Sequence, residues 1–230
     1  KDASYIVFAL SAGTNYKNEY PNYRGEMPEG KVNSAIEEFL KKCDVCLLGC
    51  GMSDTADTRY ITEEVIKTCE KPLIIDADGI NALSANINVL TNHRQSIVLT
   101  PHPAEFARLA HKDLDCVLKN GEALAVDFAK KYDVTVVLKS HRTKVVLPDG
   151  MVFSNVLGNS GMATGGSGDV LAGIIASFAG QGIDVCSAAV LGVYVHSLAA
   201  DMAALKLGEY SLTPTDIVDT LAYALKYLGG

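Results

Sequence analysis

Gly158-Asn159-Ser160-Gly161-Met162-Ala163-Thr164-Gly165-Gly166-Ser167-Gly168-Asp169 runs directly into Val170-Leu171-Ala172-Gly173-Ile174-Ile175-Ala176. Five glycines in twelve residues do not make a packed element, because glycine loses the most backbone entropy on ordering. The apolar residues that follow recur with helical spacing. The stretch therefore reads as a pliable loop ending at a helix N-terminus, where free N–H groups and the helix dipole attract anions such as phosphate. Asp169 is the odd element. A carboxylate adds negative charge where phosphate would sit, so it either caps the helix or takes part in chemistry.

Upstream of the loop, short apolar runs alternate with amphipathic ones. Tyr5–Leu10, Val45–Leu48, Pro72–Asp76, Ile97–Thr100 and Val134–Leu138 read as buried strands. Ile36–Lys42, Thr58–Cys69, Ala104–Ala110 and Gly121–Tyr132 read as the helices between them. That alternation predicts βαβ units and a mostly parallel sheet covered on both faces. Thr143–Leu147 and Met151–Ser154 flank the turn Pro148-Asp149-Gly150 and predict a hairpin. Downstream, Asp169–Gln181, Asp184–Lys206 and Thr213–Tyr227 read as a helical C-terminal layer. Gly182 and Gly208 stop the first two of these helices, and Thr213-Pro214 starts the third. No linker or repeat divides the chain, so residues 1–230 are expected to form one α/β domain. The polar segment Ala12–Lys31, with Tyr16, Tyr20 and Tyr23, reads as a lid or a solvated connection.

Composition excludes several classes. The chain has 230 residues, 48% of them apolar and 20% charged, enough to bury a sizeable core. A net charge of −7 argues against gripping nucleic acid through its phosphates. No apolar stretch reads as long enough to span a bilayer, and Lys1-Asp2-Ala3-Ser4 lacks a signal-peptide layout. The expectation is a soluble, cytoplasmic protein. Of the six cysteines, Cys43, Cys46 and Cys50 have a metal-like spacing. Cys46 lies inside an apolar run, however, and no second pair completes a site, so buried thiols are the better reading.

Four clusters follow the expected strands, where ligands of open α/β sheets bind. Gly49-Cys50-Gly51 either lets a backbone approach a ligand or makes a plain strand-to-helix turn. Asp76-Ala77-Asp78-Gly79-Ile80-Asn81 offers two carboxylates for magnesium through water or for a ribose hydroxyl, or a helix cap. In Thr100-Pro101-His102-Pro103-Ala104-Glu105, flanking prolines hold His102 rigidly at a strand end, placed for a ligand. Glu105 falls in the first helical turn, where a dipole role suffices. Lys139-Ser140-His141-Arg142-Thr143 suits a nucleotide phosphate or adenine edge, or an ordinary solvated turn.

Taken in order and closing with Gly168-Asp169, these motifs resemble the ribokinase-like superfamily, whose Gly-x-Gly-Asp at a helix start forms an anion hole beside a catalytic base. Within it the chain looks most like the ADP- or ATP-dependent NAD(P)H-hydrate dehydratases, the C-terminal half of YjeF-type repair proteins. The likeness rests on Asp76–Leu83, Leu99–Glu105, Val137–Ser140, Gly158–Gly173 and Val195-His196-Ser197-Leu198-Ala199-Ala200-Asp201.

The resemblance implies dehydration of hydrated NADH or NADPH with ADP or ATP as co-substrate. It implies Asp169 as the base and Gly51, His102 and Asp169 at the substrate. It puts Lys139, Ser140, His141, Arg142, Thr143, Gly165, Gly166 and Gly168 at the nucleotide. Asp76, Asp78, Asn81 and Asn159 are implied as further site candidates. It also implies a need for magnesium, with no carboxylate singled out as ligand, and a homo-oligomer, a tetramer. The chain departs from the family at Gly49-Cys50-Gly51, commonly Gly-Pro-Gly, and at Lys139-Ser140, commonly Lys-Gly. The family also begins with a further strand and a glycine- and serine-rich turn, and Tyr5–Leu10 resembles its second strand, so the first strand is expected to be missing from this chain. Two other readings share these residues: a small-molecule kinase acting on a hydroxymethylpyrimidine, thiazole or sugar hydroxyl, and a nucleotide-binding protein without turnover.

Overall fold

The structure is a computed structural model that describes residues 29–229. The expected strand at Tyr5–Leu10, and the expected connection as far as Pro28, lie outside these residues. The first described helix is α1, Glu29–Leu40.

Four strands follow in parallel: β1 (Cys46–Leu48), β2 (Leu73–Ile75), β3 (Ile97–Leu99) and β4 (Thr135–Leu138). β5 (Lys144–Val146) and β6 (Val152–Ser154) complete the sheet as an antiparallel hairpin, in the order β1-β2-β3-β4-β5-β6. The turn forms as Pro148-Asp149-Gly150 predicts: Gly150 takes φ +91, and Asp149 Oδ1 accepts the Met151 N–H at 2.8 Å.

Strand side chains alternate between two cores, as a period of two requires. Leu48, Leu73, Ile75, Ile97, Leu99, Val136 and Leu138 pack toward α2 (Ala56–Thr68), α3 (Ala77–Ala85), α4 (Pro103–Leu109) and α5 (Leu114–Tyr132). Leu47, Ile74, Val98, Val137 and Val145 pack toward α6 (Ser167–Gly180) and α7 (Val185–Leu207). β2 is wholly buried on both faces, which is why Leu73-Ile74-Ile75 reads as a continuous apolar run. Truncating Ile75 to Ala would cost about 2–5 kcal/mol.

The C-terminal layer also follows its local signals. α8 (Pro214–Tyr227) starts with a capping box, Thr213 Oγ1 accepting from Asp216 N and Asp216 Oδ2 accepting from Thr213 N. Gly182 and Gly208 take φ +88 and +75 just beyond α6 and α7. Two elements differ from expectation. α5 begins at Leu114, seven residues before Gly121, and runs through a kink at Asn120 (φ −126) that the Asn-Gly pair disguises as a helix start. α7 is long and apolar enough to cross a membrane, with a mean hydropathy of 1.5, which corrects the expectation that no stretch is. Its apolarity has a packing cause: 61% of that window is buried, among α6, α8 and the sheet.

Candidate functional site

β1 to β4 end along one edge, and hydrogen bonding between neighbours continues just past the ends of β2, β3 and β4. Asp76 N donates to Leu48 O (3.0 Å), Thr100 N to Ile75 O (3.1 Å) and Lys139 N to Pro101 O (2.9 Å). The backbones that carry the expected site residues are thereby fixed. At Gly49 (φ +119) a Cβ would stand 1.9 Å from Asp76 O, so the glycine lets two strand-end loops touch.

Asp76 is 1% exposed and stands in extended conformation at the start of α3, yet its side chain makes no capping bond. Its Oδ1 instead accepts from Lys139 Nζ at 2.7 Å, and the Cys50 thiol lies 3.9 Å from Oδ2. The choice between ligand and cap is thus replaced by an ion pair between the ends of β2 and β4. The next residue, Ala77, sits at φ +47, a left-handed conformation that costs about 1–2 kcal/mol for a side-chain-bearing residue.

Asp78 and Asn81 are engaged elsewhere. Asp78 Oδ2 accepts the Ser53 N–H at 2.7 Å and ties down the loop containing Gly51, which is exposed. Asn81 Oδ1 accepts from Arg108 Nε and Nη2 at 3.0 and 2.9 Å.

His102 serves α4 directly. Its Nδ1 accepts from Ala104 N and Glu105 N (3.1 and 3.2 Å), and its Nε2 lies 3.3 Å from Glu105 Oε1. Nδ1 is thus committed to the helix start, and the imidazole is half-exposed at the cleft. Glu105 does more than complement the dipole: it is buried, its Oε2 accepts the His102 N–H at 2.8 Å, and it lies 4.0 Å from Lys139 Nζ.

Past β4, Ser140 O accepts from Thr143 Oγ1 (3.2 Å), and Ser140 Oγ accepts from Arg142 N (3.2 Å). These bonds close Lys139–Thr143 into a turn with His141 and Arg142 exposed.

The opposite wall is the opening glycine run. Gly166 starts α6 at φ +93, with no side chain capping the helix. Asp169, in the first turn, is exposed and makes no capping bond. Gly165 is open, and a Cβ at Gly168 would meet Lys139 Nζ at 3.2 Å, so the ammonium lies against the glycine loop. Asn159 caps its own turn: Oδ1 accepts Gly161 N at 3.1 Å, and Nδ2 donates to Asp201 Oδ1 at 2.8 Å. Asp201 Oδ2 also accepts Gly158 N at 2.9 Å, and Glu209 Oε2 accepts Ser160 N at 3.1 Å. Asn159 therefore shapes the loop. Asp201, the end of the Val195–Asp201 motif, and Glu209 hold this loop, a role the sequence does not show because they are more than 40 residues from their partners.

Between the walls opens a cleft of about 850 Å³, lined by His102, Lys139, Thr143, Asn159, Gly168 and His196 among others. His196, within the Val195–Asp201 motif, is buried at the cleft. Burial, reinforced by the Lys139 charge and opposed by a hydrogen bond to Ser167, pushes it down to about 4. Its Nε2 lies 3.4 Å from Ser167 Oγ in the first turn of α6. The cleft thus joins a cation, open loop amides and an apolar floor including Leu171 and Val193, a setting for a phosphate next to a flat ring.

Among the described residues, the side chains grouped closely enough to share a cation are Cys50, Asp76 and Asp169, with ligand atoms within 4.8 Å of one another. Burial first, then the Asp76 and Asp169 charges, pushes the Cys50 thiol up to about 12, so it stays protonated. Asp76 is already paired. That leaves Asp169, exposed and hydrogen-bonded only to the Cys50 thiol among these groups, as the oxygen donor, a set that fits magnesium carried mainly by phosphates and water.

The parallel sheet with helices on both faces, and a glycine loop opening a helix over the strand ends, defines a ribokinase-like α/β protein. A solved ribokinase-like superfamily protein from Enterococcus faecalis superposes with a TM-score of 0.72 at 34% identity, over 86% of this chain and 68% of that one. The family model described as NAD(P)H-hydrate dehydratase matches residues 8–222, and the chain belongs to that family. It is 40% identical over 207 residues to a bifunctional NAD(P)H-hydrate repair enzyme of Moorella thermoacetica, covering 88% of this chain and 39% of that protein. It also resembles, at 26% identity and a TM-score of 0.71, the ADP/ATP-dependent NAD(P)H-hydrate dehydratase of Bacillus subtilis co-crystallized with ATP and Mg2+. That match covers 80% of this chain and 66% of the other. The chain thus spans well under two thirds of the Moorella relative's length.

Proposed function

We propose that the protein returns hydrated NADH or NADPH to the dihydronicotinamide form, using ADP or ATP as phosphoryl donor. The observation that carries this reading is the helix start at Gly168, which lines the cleft. An exposed carboxylate, Asp169, stands in the first turn of an uncapped helix, with the Lys139 ammonium against the neighbouring Gly168.

Hydroxide is a poor leaving group, and phosphorylation of the hydrate hydroxyl makes it a good one. Asp169 takes the hydroxyl proton as the oxygen attacks the terminal phosphorus. The bond from that phosphorus to its bridging oxygen breaks, releasing AMP from ADP or ADP from ATP. The ring-nitrogen lone pair then expels phosphate, leaving an iminium ion, and loss of the proton on the neighbouring ring carbon to phosphate or water restores the ring double bond. The amides of Gly165, Gly166 and Gly168, with the α6 dipole, hold the phosphoryl oxygens. Lys139 supplies a positive charge on the same side, and Ser140–Thr143 hold the nucleotide at the cleft's edge. His102 stands against the nicotinamide, with Gly51 leaving room beside it. Magnesium, carried by the phosphates and reached by Asp169, would neutralise charge on the moving group.

The test is incubation with hydrated NADH, magnesium and ADP or ATP, following the return of dihydronicotinamide absorbance. Recovery with either nucleotide supports the reading. A stable phosphorylated product without recovery would replace it with small-molecule kinase activity.

A further inference from the structure

Asp76 occupies the helix-start position of α3 but does not cap it. A buried carboxylate costs several kcal/mol unless a partner compensates it. Its partner is distant in sequence: Lys139 Nζ at 2.7 Å, from a position 63 residues away. Three features fix this contact from different sides. The backbone N–H of Asp76 is held by Leu48 O, its carbonyl lies against Gly49, and its second carboxylate oxygen faces the Cys50 thiol. On the lysine side, the backbone N–H of Lys139 is held by Pro101 O, and Glu105 lies 4.0 Å from its ammonium. Gly168 borders the pair: a Cβ there would stand 3.2 Å from the ammonium and 3.7 Å from Asp76 Oδ2. Four strand-end segments thus converge on one ion pair and set it beside Gly168 of the loop.

The geometry points to Asp76 as a positioning residue for the reaction proposed above, on which this inference rests. It does not touch the reacting atoms. It holds the Lys139 ammonium at Gly168, on the line along which phosphoryl oxygens enter, so that the cation needs no reorganisation when charge moves. A lysine on a four-carbon stem without this anchor samples many rotamers, and each places the charge elsewhere. The ion pair is therefore a device for aim, while affinity for the nucleotide resides in the loop amides and the Ser140–Thr143 turn.

Asp76→Asn keeps the shape and removes the charge. Turnover of hydrated NADH with magnesium and ADP or ATP should show kcat lowered at least tenfold and nucleotide KM within threefold of wild type. Asp76→Glu should fall between. Combining Asp76→Asn with Lys139→Met should lower kcat by less than twofold beyond Lys139→Met alone. A second readout does not need turnover: acetylation of Lys139 by an N-hydroxysuccinimide ester, followed by peptide mass spectrometry, should run at least fivefold faster in Asp76→Asn. An unchanged kcat, effects of the two variants that multiply, or an unchanged labelling rate overturns the assignment. Should Asp76→Asn not fold, Asp76→Glu carries both measurements, since a carboxylate moved by one methylene displaces the ammonium. If wild type restores no dihydronicotinamide, the dehydratase reading falls, and the labelling comparison decides the role of Asp76 by itself.

Discussion

The two walls of the cleft are held by opposite means. On the strand side, a buried carboxylate and a lysine are locked together beneath backbone bonds that extend the sheet. On the loop side, Gly158–Gly161 is fastened by Asp201 and Glu209, whose bonds to loop N–H groups lie at the surface. Breaking a buried charge pair costs about 3–5 kcal/mol, whereas a hydrogen bond exchanged with water contributes about 1 kcal/mol. The strand wall is thus the more costly of the two to break.

Several changes would break or sharpen this contrast. The largest effect belongs to Asp169→Asn at the start of α6. Turnover should fall about 100- to 10,000-fold, the usual contribution of a positioned base. Nucleotide-induced thermal stabilisation should persist, and loss of that stabilisation would tie Asp169 to binding instead. Next comes His196, which leans on the first turn of α6. Its folded value lies near 4, below its ordinary 6.5, so on acidification the unfolded chain takes up the proton first. Stability is then complete above pH 6.5 and declines toward pH 4 by up to about 3 kcal/mol. Urea melts at pH 7.5 and 5 should show that decline shrinking in His196→Gln. Asp201→Ala releases two bonds of the loop wall. Stability should drop by about 1–2 kcal/mol and nucleotide KM rise a few-fold, with kcat little changed. A kcat loss as large as that of Asp76→Asn would erase the distinction between the walls. The smallest effect is expected at Cys50, which, held near 12, should resist iodoacetamide at pH 8 in peptide mapping.

Much of the frame was legible because it is written in short-range patterns. Apolar runs gave β1–β4, Thr213-Pro214 marked the start of α8, and the glycine run marked the loop before α6. What escaped is long-range. Asp76 carries a helix-cap signal, and only the fold brings Lys139 to it. Asp201, within the alanine-rich α7, and Glu209, just beyond it, carry no local sign that they hold a distant loop. Asn120-Gly121 disguised the first turn of α5. The composition of α7 reads as membrane-like because a helix buried between two others and a sheet has little call for polar residues.

The backbone contact at Gly49 sets what substitution can do here. A side chain at that position would collide with Asp76 O, and its φ of +119 penalises any other residue. At Gly51 nothing stands within 4 Å, so only the backbone conformation (φ +71) restricts the choice. Cys50, between them, points its thiol at the charged cluster. The turn thus holds one position closed to any side chain, Gly49, next to one side chain, Cys50, that meets the buried charges directly.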